Sequence, residues 1–457
     1  MNQHAPPRAD APLGALLADC GLERAGERLD LRRAALGREA MASRTAALRE
    51  ALGANAPPPV WWDEREARLA LRGAELQRAQ LDGADLSGAD LGAARLAGAV
   101  GRGMRLDGAL IEETDFTGAD LSGASFAGAV AGQAVLAQAM LEDATFARAA
   151  MRFAKLPGAL LDGADFAEAD LWGADFNGAD ADNTVFRGAR LDEARLADVN
   201  LTHADFTGAS LKLADLSGSR LRGAQFAGAR LDGAKLRGAD LSNTTLVRLN
   251  LSSCDLTHVR LAGAWIEGSR MSVEQLGGMV GEERAGDFEA AAQSYRALET
   301  NLSSIGAKDE ASWAYKRSRL MGRRAAGQKA VASWRAGRRR EALAAGYRWA
   351  ADRSVEWLCD YGESMSRIVR AFALLIVVFA ALYGLSAGLV PTGAAQGTRH
   401  VVDLMSYSAL NMMTANPPAI GLDPVGRWTN ILVGLQGAVG IILMGLFGFV
   451  LGNRIRR

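Results

Sequence analysis

The chain has 457 residues, with 52 Lys+Arg against 52 Asp+Glu and a formal charge of zero. That balance argues against a generally basic nucleic-acid binder and against a strongly acidic mimic of nucleic acid. Four histidines, three far-spaced cysteines (Cys20, Cys254, Cys359), 52 glycines and 6% aromatics give no metal-ligand spacing and no disulfide framework, and point to repeats rather than to an ordinary globular enzyme.

In chain order, four parts are expected. Residues 1–62 form a helical and Pro-rich N-terminal segment and cap. Residues 11–52, rich in Ala, Leu, Arg and Glu, read as one or two helices. Pro57-Pro58-Pro59 ends them, and Val60-Trp61-Trp62 leads into the next part as a cover for its open end. No apolar core follows a basic start, so no signal peptide is expected.

The second part, 63–272, carries a period of five from Leu71 to Met271. In LDGADLSGADLGAARLAGAV, Leu81, Leu86, Leu91 and Leu96 hold one position, and Ala84, Ala89, Ala94 and Ala99 follow three residues later. Gly101, Ala131 and Ala181 are the few departures at the central position. In a helix, side chains five apart drift around the axis; in a strand they alternate faces. The remaining solution turns a corner every five residues, with Leu or Phe inward and a small Ala beside it. Four sides close a square coil of twenty residues, and about ten coils stack into a rod on the order of 50 Å long. Leu86, Phe126, Phe166, Phe206 and Phe226 are multiples of twenty apart, so they share one inner side. A residue larger than Ala at the second inward point is expected to overpack the lumen, and Asp, Arg, Ser and Thr to solvate the exterior. His203 and His258 point outward on different sides, and Cys254 is a small inward hydrophobe.

These motifs, among them Ala84-Asp85-Leu86, Ala119-Asp120-Leu121, Ala164-Asp165-Phe166 and Ala239-Asp240-Leu241, resemble the pentapeptide repeat family. The resemblance implies a right-handed quadrilateral β-helix that serves mostly as a scaffold. Some members bind DNA gyrase as acidic duplex mimics. Here 27 acids against 20 bases over 71–271, with Arg187, Arg190, Arg195, Arg220 and Arg222 interspersed, make a weakly acidic surface for that role.

The third part, 273–366, is expected to be a basic helical linker. Residues 285–303 place Phe288, Tyr295 and Leu298 in helical spacing, Gly306 breaks them, and 308–349 continue as helix. Over 308–370 there are 15 bases and 7 acids, a juxtamembrane charge pattern suited to anionic headgroups.

The fourth part, 367–457, holds two uncharged stretches, Ala371–Val390 and Ile431–Gly452, each long enough to cross a bilayer. Arg367 and Arg370 precede the first; Arg454, Arg456 and Arg457 follow the second; the connection is nearly neutral. Both termini are therefore expected in the cytoplasm. Gln436 is a polar group within the second stretch and is expected to face protein. Between them, Val401–Met413 followed by TANPPAIGLDP has the form of a re-entrant pore-like helix and return; an external cap is the alternative.

Tyr361-Gly362-Glu363, Phe379–Tyr383, Tyr407–Leu410 and Gly421–Arg427 resemble the two-helix bacterial potassium-channel-like module. The resemblance implies a bacterial inner-membrane protein and a homo-tetramer around a pore. The family's filter is a Thr-x-Gly-Tyr-Gly-Asp stretch; here Thr414-Ala415-Asn416-Pro417-Pro418 lacks both glycines. Thr414, Asn416 and Pro417 are the pore-lining candidates, and stacked carbonyl rings are not expected from them.

The chain is thus expected to be a multi-pass membrane protein on the lipid bilayer, a cytoplasmic repeat scaffold joined to a channel-like pore with weakly selective cation conduction. The first alternative is a non-conducting membrane-anchored scaffold that binds an unidentified protein; the second is a gyrase-type inhibitor. No catalytic residue, cofactor or metal is expected, and no nucleic-acid partner.

Overall fold

The computed structural model describes residues 15–16, 24–25, 28–29, 31, 36–52, 61–362, 364–394, 396–414 and 420–455. The chain divides into two compact units, Met1–Gly322 and Arg323–Arg457.

In the first unit, parallel bridges run from Ala70↔Asp90 to Asn250↔Arg270, each partner twenty residues on, which makes ten coils. Each corner is a turn closed from the inward Ala to the central residue, as in Ala169 N to Phe166 O, 3.1 Å. The central amide donates to the next coil (Phe166 to Val185 O, 2.7 Å), and the amide before it to the previous coil (Asp165 to Ala144 O, 2.9 Å). The third residue's amide also reaches the next coil, as in Gly173 to Asp192 O, 3.0 Å.

One amide in five, that of the residue after the central one, finds no place in this ladder. Aspartate supplies its acceptor: Asp165, Asp205 and Asp240 accept from the amides of Ala167, Thr207 and Ser242 at 2.8–3.0 Å. The expectation that these aspartates only solvate the exterior is corrected; they complete the backbone pairing. Partial burial works to raise the Asp205 carboxyl, but hydrogen bonds from Thr207 and Arg187 outweigh it and hold the group below its ordinary value.

The lumen is dry. Leu86, Phe126, Phe166 and Phe206 are fully buried, and Phe226 is 1% exposed. Phe126, Phe146, Phe166, Phe186, Phe206 and Phe226 stack in one column, with centroids 4.5–5.3 Å apart. Phe176, from the adjoining side, meets Phe166 and Phe186 edge-on. Polar side chains at the inward Ala position are paired: Thr114, Thr184 and Cys254 donate to the carbonyls of Leu91, Leu161 and Leu231. Burial pushes the Cys254 thiol up to about 11. The expected exclusion of larger residues from the second inward point is also corrected. Met104 sits there fully buried, because Gly101 leaves room; a Cβ on Gly101 would meet the Met104 sulfur at 2.4 Å.

In-register stacking places like positions about 4.8 Å apart, so charge order along a row matters. One row reads Asp175, Arg195, Asp215, Lys235, Asp255. Lys235 pairs with Asp215 at 3.6 Å, and Arg187 reaches Asp205 at 2.5 Å. Alternation replaces repulsion by mild attraction.

Both ends of the stack are covered. At the start, the amides of Leu31 and Leu36 donate to Gln80 and Asp85 carbonyls at 2.8 Å, the same pairing a preceding coil would make. Leu31, Leu36 and Met41 are five apart and buried, and they join the core with Trp61 and Trp62. The helical expectation for 11–52 is therefore corrected: helix occupies Arg38–Leu52, while Arg24–Ala25 pairs with Arg28–Leu29 as a hairpin. Trp62–Asp63 pairs with Arg68–Leu69 and leads into the first coil.

At the far end, side chains take the place of a missing coil. Glu282, 4% exposed, accepts from the amides of Leu261 (2.7 Å) and Ala262 (2.8 Å) and from the Ser294 hydroxyl. The Asn301 amide pairs both ways with the Ser269 backbone at 2.9 Å. Gln275 donates to the Leu251 and Cys254 carbonyls, and Glu310 accepts from Val273. The helix Phe288–Ser304 buries Tyr295, Leu298 and Leu302 against this end. His203 is exposed, but His258 is half-buried under the cap, with its Nδ1 unpaired.

Replacing Phe166 by Ala removes a ring from the middle of the column. It should cost roughly 3–5 kcal/mol, read as lost amide-exchange protection in the flanking coils. Arg230→Ala, at an exposed position, should stay within about 0.5 kcal/mol.

Candidate functional site: the apolar helical unit

The second unit begins within the helix Lys308–Arg335, which is followed by the helix Arg339–Cys359. The expected continuous helix over 308–349 is broken by Gly337, at φ +75°, with the Arg338 amide closing onto the Ser333 carbonyl at 2.9 Å. A left-handed glycine with this bond is a Schellman-type stop, and it folds the two helices into a hairpin. Arg323, 9% exposed, is clasped by Glu356, which Arg353 also meets at 2.7 Å. Burial opposes ionisation of Glu356, but bonds from Arg323 and Arg353 prevail and hold it below its ordinary value. Away from this clasp, Val331, Trp334, Leu343 and Tyr347 are exposed along an apolar groove of about 570 Å³.

Two helices are long and apolar enough to cross a membrane: Met365–Ser386, 22 residues, and Arg427–Gly452, 26 residues. Ser364 caps the first through the Arg367 amide. Between them the chain forms a strand Leu389–Pro391, a helix Val401–Thr414 and a strand Leu422–Pro424; the two strands pair antiparallel. The helix Val401–Thr414 packs against both long helices. The approach is close: a Cβ on Gly440 would lie 2.1 Å from the Met412 carbonyl oxygen, and one on Gly388 1.8 Å from Thr429 Oγ1. Glycine is needed at both points for contact, not for φ.

Gln436 lies at the centre, fully buried. Its Oε1 accepts from Tyr383 Oη (2.6 Å) and Asn411 Nδ2 (3.0 Å). Its Nε2 donates to the Ser408 carbonyl (2.9 Å) and hydroxyl (2.6 Å). The Ser408 hydroxyl in turn donates a hydrogen bond to the Ile376 carbonyl at 2.8 Å, and Asn411 also donates to the Val433 carbonyl. One side chain thereby ties all three helices, and Phe379, Tyr383 and Tyr407 belong to one buried apolar cluster among them. Asn411 and Ser408 were not singled out from the sequence, although their i, i+3 spacing within the apolar run 401–413 marks one polar edge.

The pore-lining candidates fare differently. Thr414 ends the short helix, is exposed, and turns its hydroxyl back to the Leu410 carbonyl at 2.7 Å. Asn416 and Pro417 lie outside the described residues, as do Ala415 and Pro418. Among the described residues no group of three or more His, Cys, Asp or Glu could hold a metal ion.

In the first unit, two bulky side chains stand on one solenoid corner with left-handed backbone: Phe153 (φ +56°) and Leu213 (φ +58°), three coils apart. Both are exposed, and Trp172 meets Phe153 edge-on at 4.6 Å. Glycine takes this turn position freely; Phe and Leu are strained there.

Replacing Gln436 by Leu strands the Tyr383 hydroxyl and the Ser408 carbonyl among apolar helices. The variant should lose roughly 1–2 kcal/mol, seen as a lower thermal midpoint of the full chain in detergent; an unchanged midpoint would show that the network carries no stability.

Comparison with known proteins places the repeat. Residues 84–272 match the Pentapeptide repeats family in eight copies. Among solved structures, the chain is similar to HetL, a pentapeptide repeat protein involved in heterocyst differentiation regulation from Nostoc sp. strain PCC 7120 (29% identity, 43% of this chain and 87% of that one, TM-score 0.25). It is also similar to trypsin-treated QnrB1, a plasmid-mediated fluoroquinolone resistance protein (23%, 45% and 97%, 0.21). A third is a pentapeptide repeat protein of the Arabidopsis thaliana thylakoid lumen (28%, 25% and 67%, 0.10). No curated protein matches significantly. The segment from 84 to 272 is a run of pentapeptide repeats, and the solenoid of this chain is a pentapeptide-repeat solenoid.

Proposed function

We propose that this chain is a membrane-anchored repeat scaffold whose C-terminal unit assembles, as a homo-tetramer in a bacterial inner membrane, into a channel-like pore with weak cation selectivity. The observation that carries the reading is the arrangement of Val401–Thr414. It is a short apolar helix held between two span-length helices, and Ser408 and Asn411, midway along it, turn inward onto Gln436. Such a helix can sit at membrane depth because protein, not lipid, covers its polar edge. The outward faces are apolar: Val377, Leu385, Ile431, Ile441 and Phe449 are more than half exposed, and only 28% of each apolar window is buried. A soluble core helix would bury most of its length. Arginines at 367, 370 and 454 flank the spans, which favours both termini, and the solenoid with them, on the cytoplasmic side.

The solenoid serves as a rigid spacer or docking surface for a protein partner. An acidic duplex mimic is disfavoured, because bases interrupt the acids along the solenoid, most regularly in the row Asp175, Arg195, Asp215, Lys235, Asp255. A non-enzymatic role fits a repeat whose aspartates are engaged with their own backbone. One observation favours a second reading, a non-conducting anchored scaffold: residues 414–418 offer two prolines where a filter has glycines, and proline fixes φ and removes a donor.

Current recorded from the purified full chain in planar bilayers, with K⁺ on one side and Na⁺ on the other, separates these. The pore reading gives a cation current that reverses near zero millivolts. Absence of current leaves the anchored scaffold, and strong preference for K⁺ contradicts the consequence drawn from the missing glycines.

A further inference from the structure

Where the helical hairpin meets the first span-length helix, Trp357, Arg367, Arg370, Ala371 and Leu374 line an open crevice of about 350 Å³. Its two halves differ in chemistry. Arg367 and Arg370 occupy one half; Ala371 and Leu374 continue it one turn further along the apolar helix. Trp357, half exposed, stands beside both. Arg367 is already engaged, donating to the Glu356 carbonyl at 2.9 Å and facing Asp360 at 3.5 Å. Arg370 is not: its Nε touches the Ser366 carbonyl at 3.4 Å, and among the described residues no carboxylate lies within ion-pair distance.

We infer that this crevice binds the phosphate of an anionic phospholipid on Arg370, with Arg367 alongside, and the first carbons of one acyl chain along Ala371 and Leu374. The inference rests on the membrane-spanning reading of Met365–Ser386. An uncompensated guanidinium at the edge of an apolar helix face calls for an anion, and the apolar half calls for a ligand that is itself amphipathic. The indole ring suits the boundary between the two. A free anion would leave Leu374, 48% exposed, uncovered. A second copy of the chain presenting the same crevice would bring Arg370 against Arg370. The volume admits a headgroup phosphate and the start of a chain, which matches a lipid whose remainder lies in the bilayer.

The test reconstitutes the full chain in nanodiscs of phosphatidylcholine with a minor share of phosphatidylglycerol, then counts lipid retained in mild detergent by native mass spectrometry. The wild type should keep phosphatidylglycerol in preference to phosphatidylcholine. Arg370→Gln should lower that retention roughly fivefold, and Arg370→Lys should keep most of it. Trp357→Glu, at an exposed position, places a competing carboxylate on the rim and should cause the same loss without touching the core. Arg348→Gln, outside the crevice, should change nothing. Equal retention by wild type, Arg370→Gln and Trp357→Glu would overturn the site. Displacement of the lipid by inorganic phosphate or by polyglutamate would assign it to a free anion or an acidic peptide, and overturn it equally. An alkaline wash of membranes keeps the two failures apart: release of the wild type would sink the spanning reading itself, whereas retained chain with indifferent lipid counts would sink only the crevice.

Discussion

Everything in the first unit follows from one constraint: a backbone that turns a corner every five residues must find partners for its amides in the coils above and below. Three of the five pair between coils, and one closes the turn. The fifth is left to a side chain, which is why aspartate recurs beside the central residue. The same ladder makes the stack open-ended. A row of unpaired groups at either end would cost about 1–3 kcal/mol for each that is buried, and it would offer an edge to other chains. The chain covers one end with a detached stretch that imitates a coil, through Leu31 and Leu36, and the other with side chains that imitate a backbone, Glu282 and Asn301.

At Gln436 the second unit meets the same demand through one side chain. Among apolar helices, a polar side chain must pair with protein, and Gln436 uses all of its amide to do so. The bonds fix the register of the short helix against both long ones. Close glycine contacts at Gly388 and Gly440 then set the spacing. What distinguishes this unit from a soluble helical core is the outward face, which remains apolar and open.

Much of the solenoid was legible because a five-residue period admits few solutions and each repeat confirms the last. The column through Phe126, Phe166, Phe206 and Phe226 follows from arithmetic alone. The ends were not legible, since caps do not repeat. Leu31, Leu36 and Met41 keep the five-residue spacing, but without the Ala-Asp context they look like a helical stripe. Glu282 and Asn301 resemble ordinary helix polar residues until the last coil is placed beside them. Met104 against Gly101 shows a compensation inside one repeat that a position-by-position rule misses. In the second unit, length and hydropathy revealed the two long helices and the polarity of Gln436. Its partners Asn411, Ser408 and Tyr383 are set by packing, 25 to 53 residues away in sequence.

The constraint can be measured where it is most exposed, at the last coil. In the full chain carrying Glu282→Ala, amide hydrogen exchange at Leu261 and Ala262 should accelerate roughly tenfold or more, the effect of losing a buried acceptor. The amides of Phe166 and Val185, in the middle of the stack, should exchange as in the wild type. Unchanged protection at Leu261 and Ala262, or an equal loss along all ten coils, would contradict the claim that side chains close the ladder at its end.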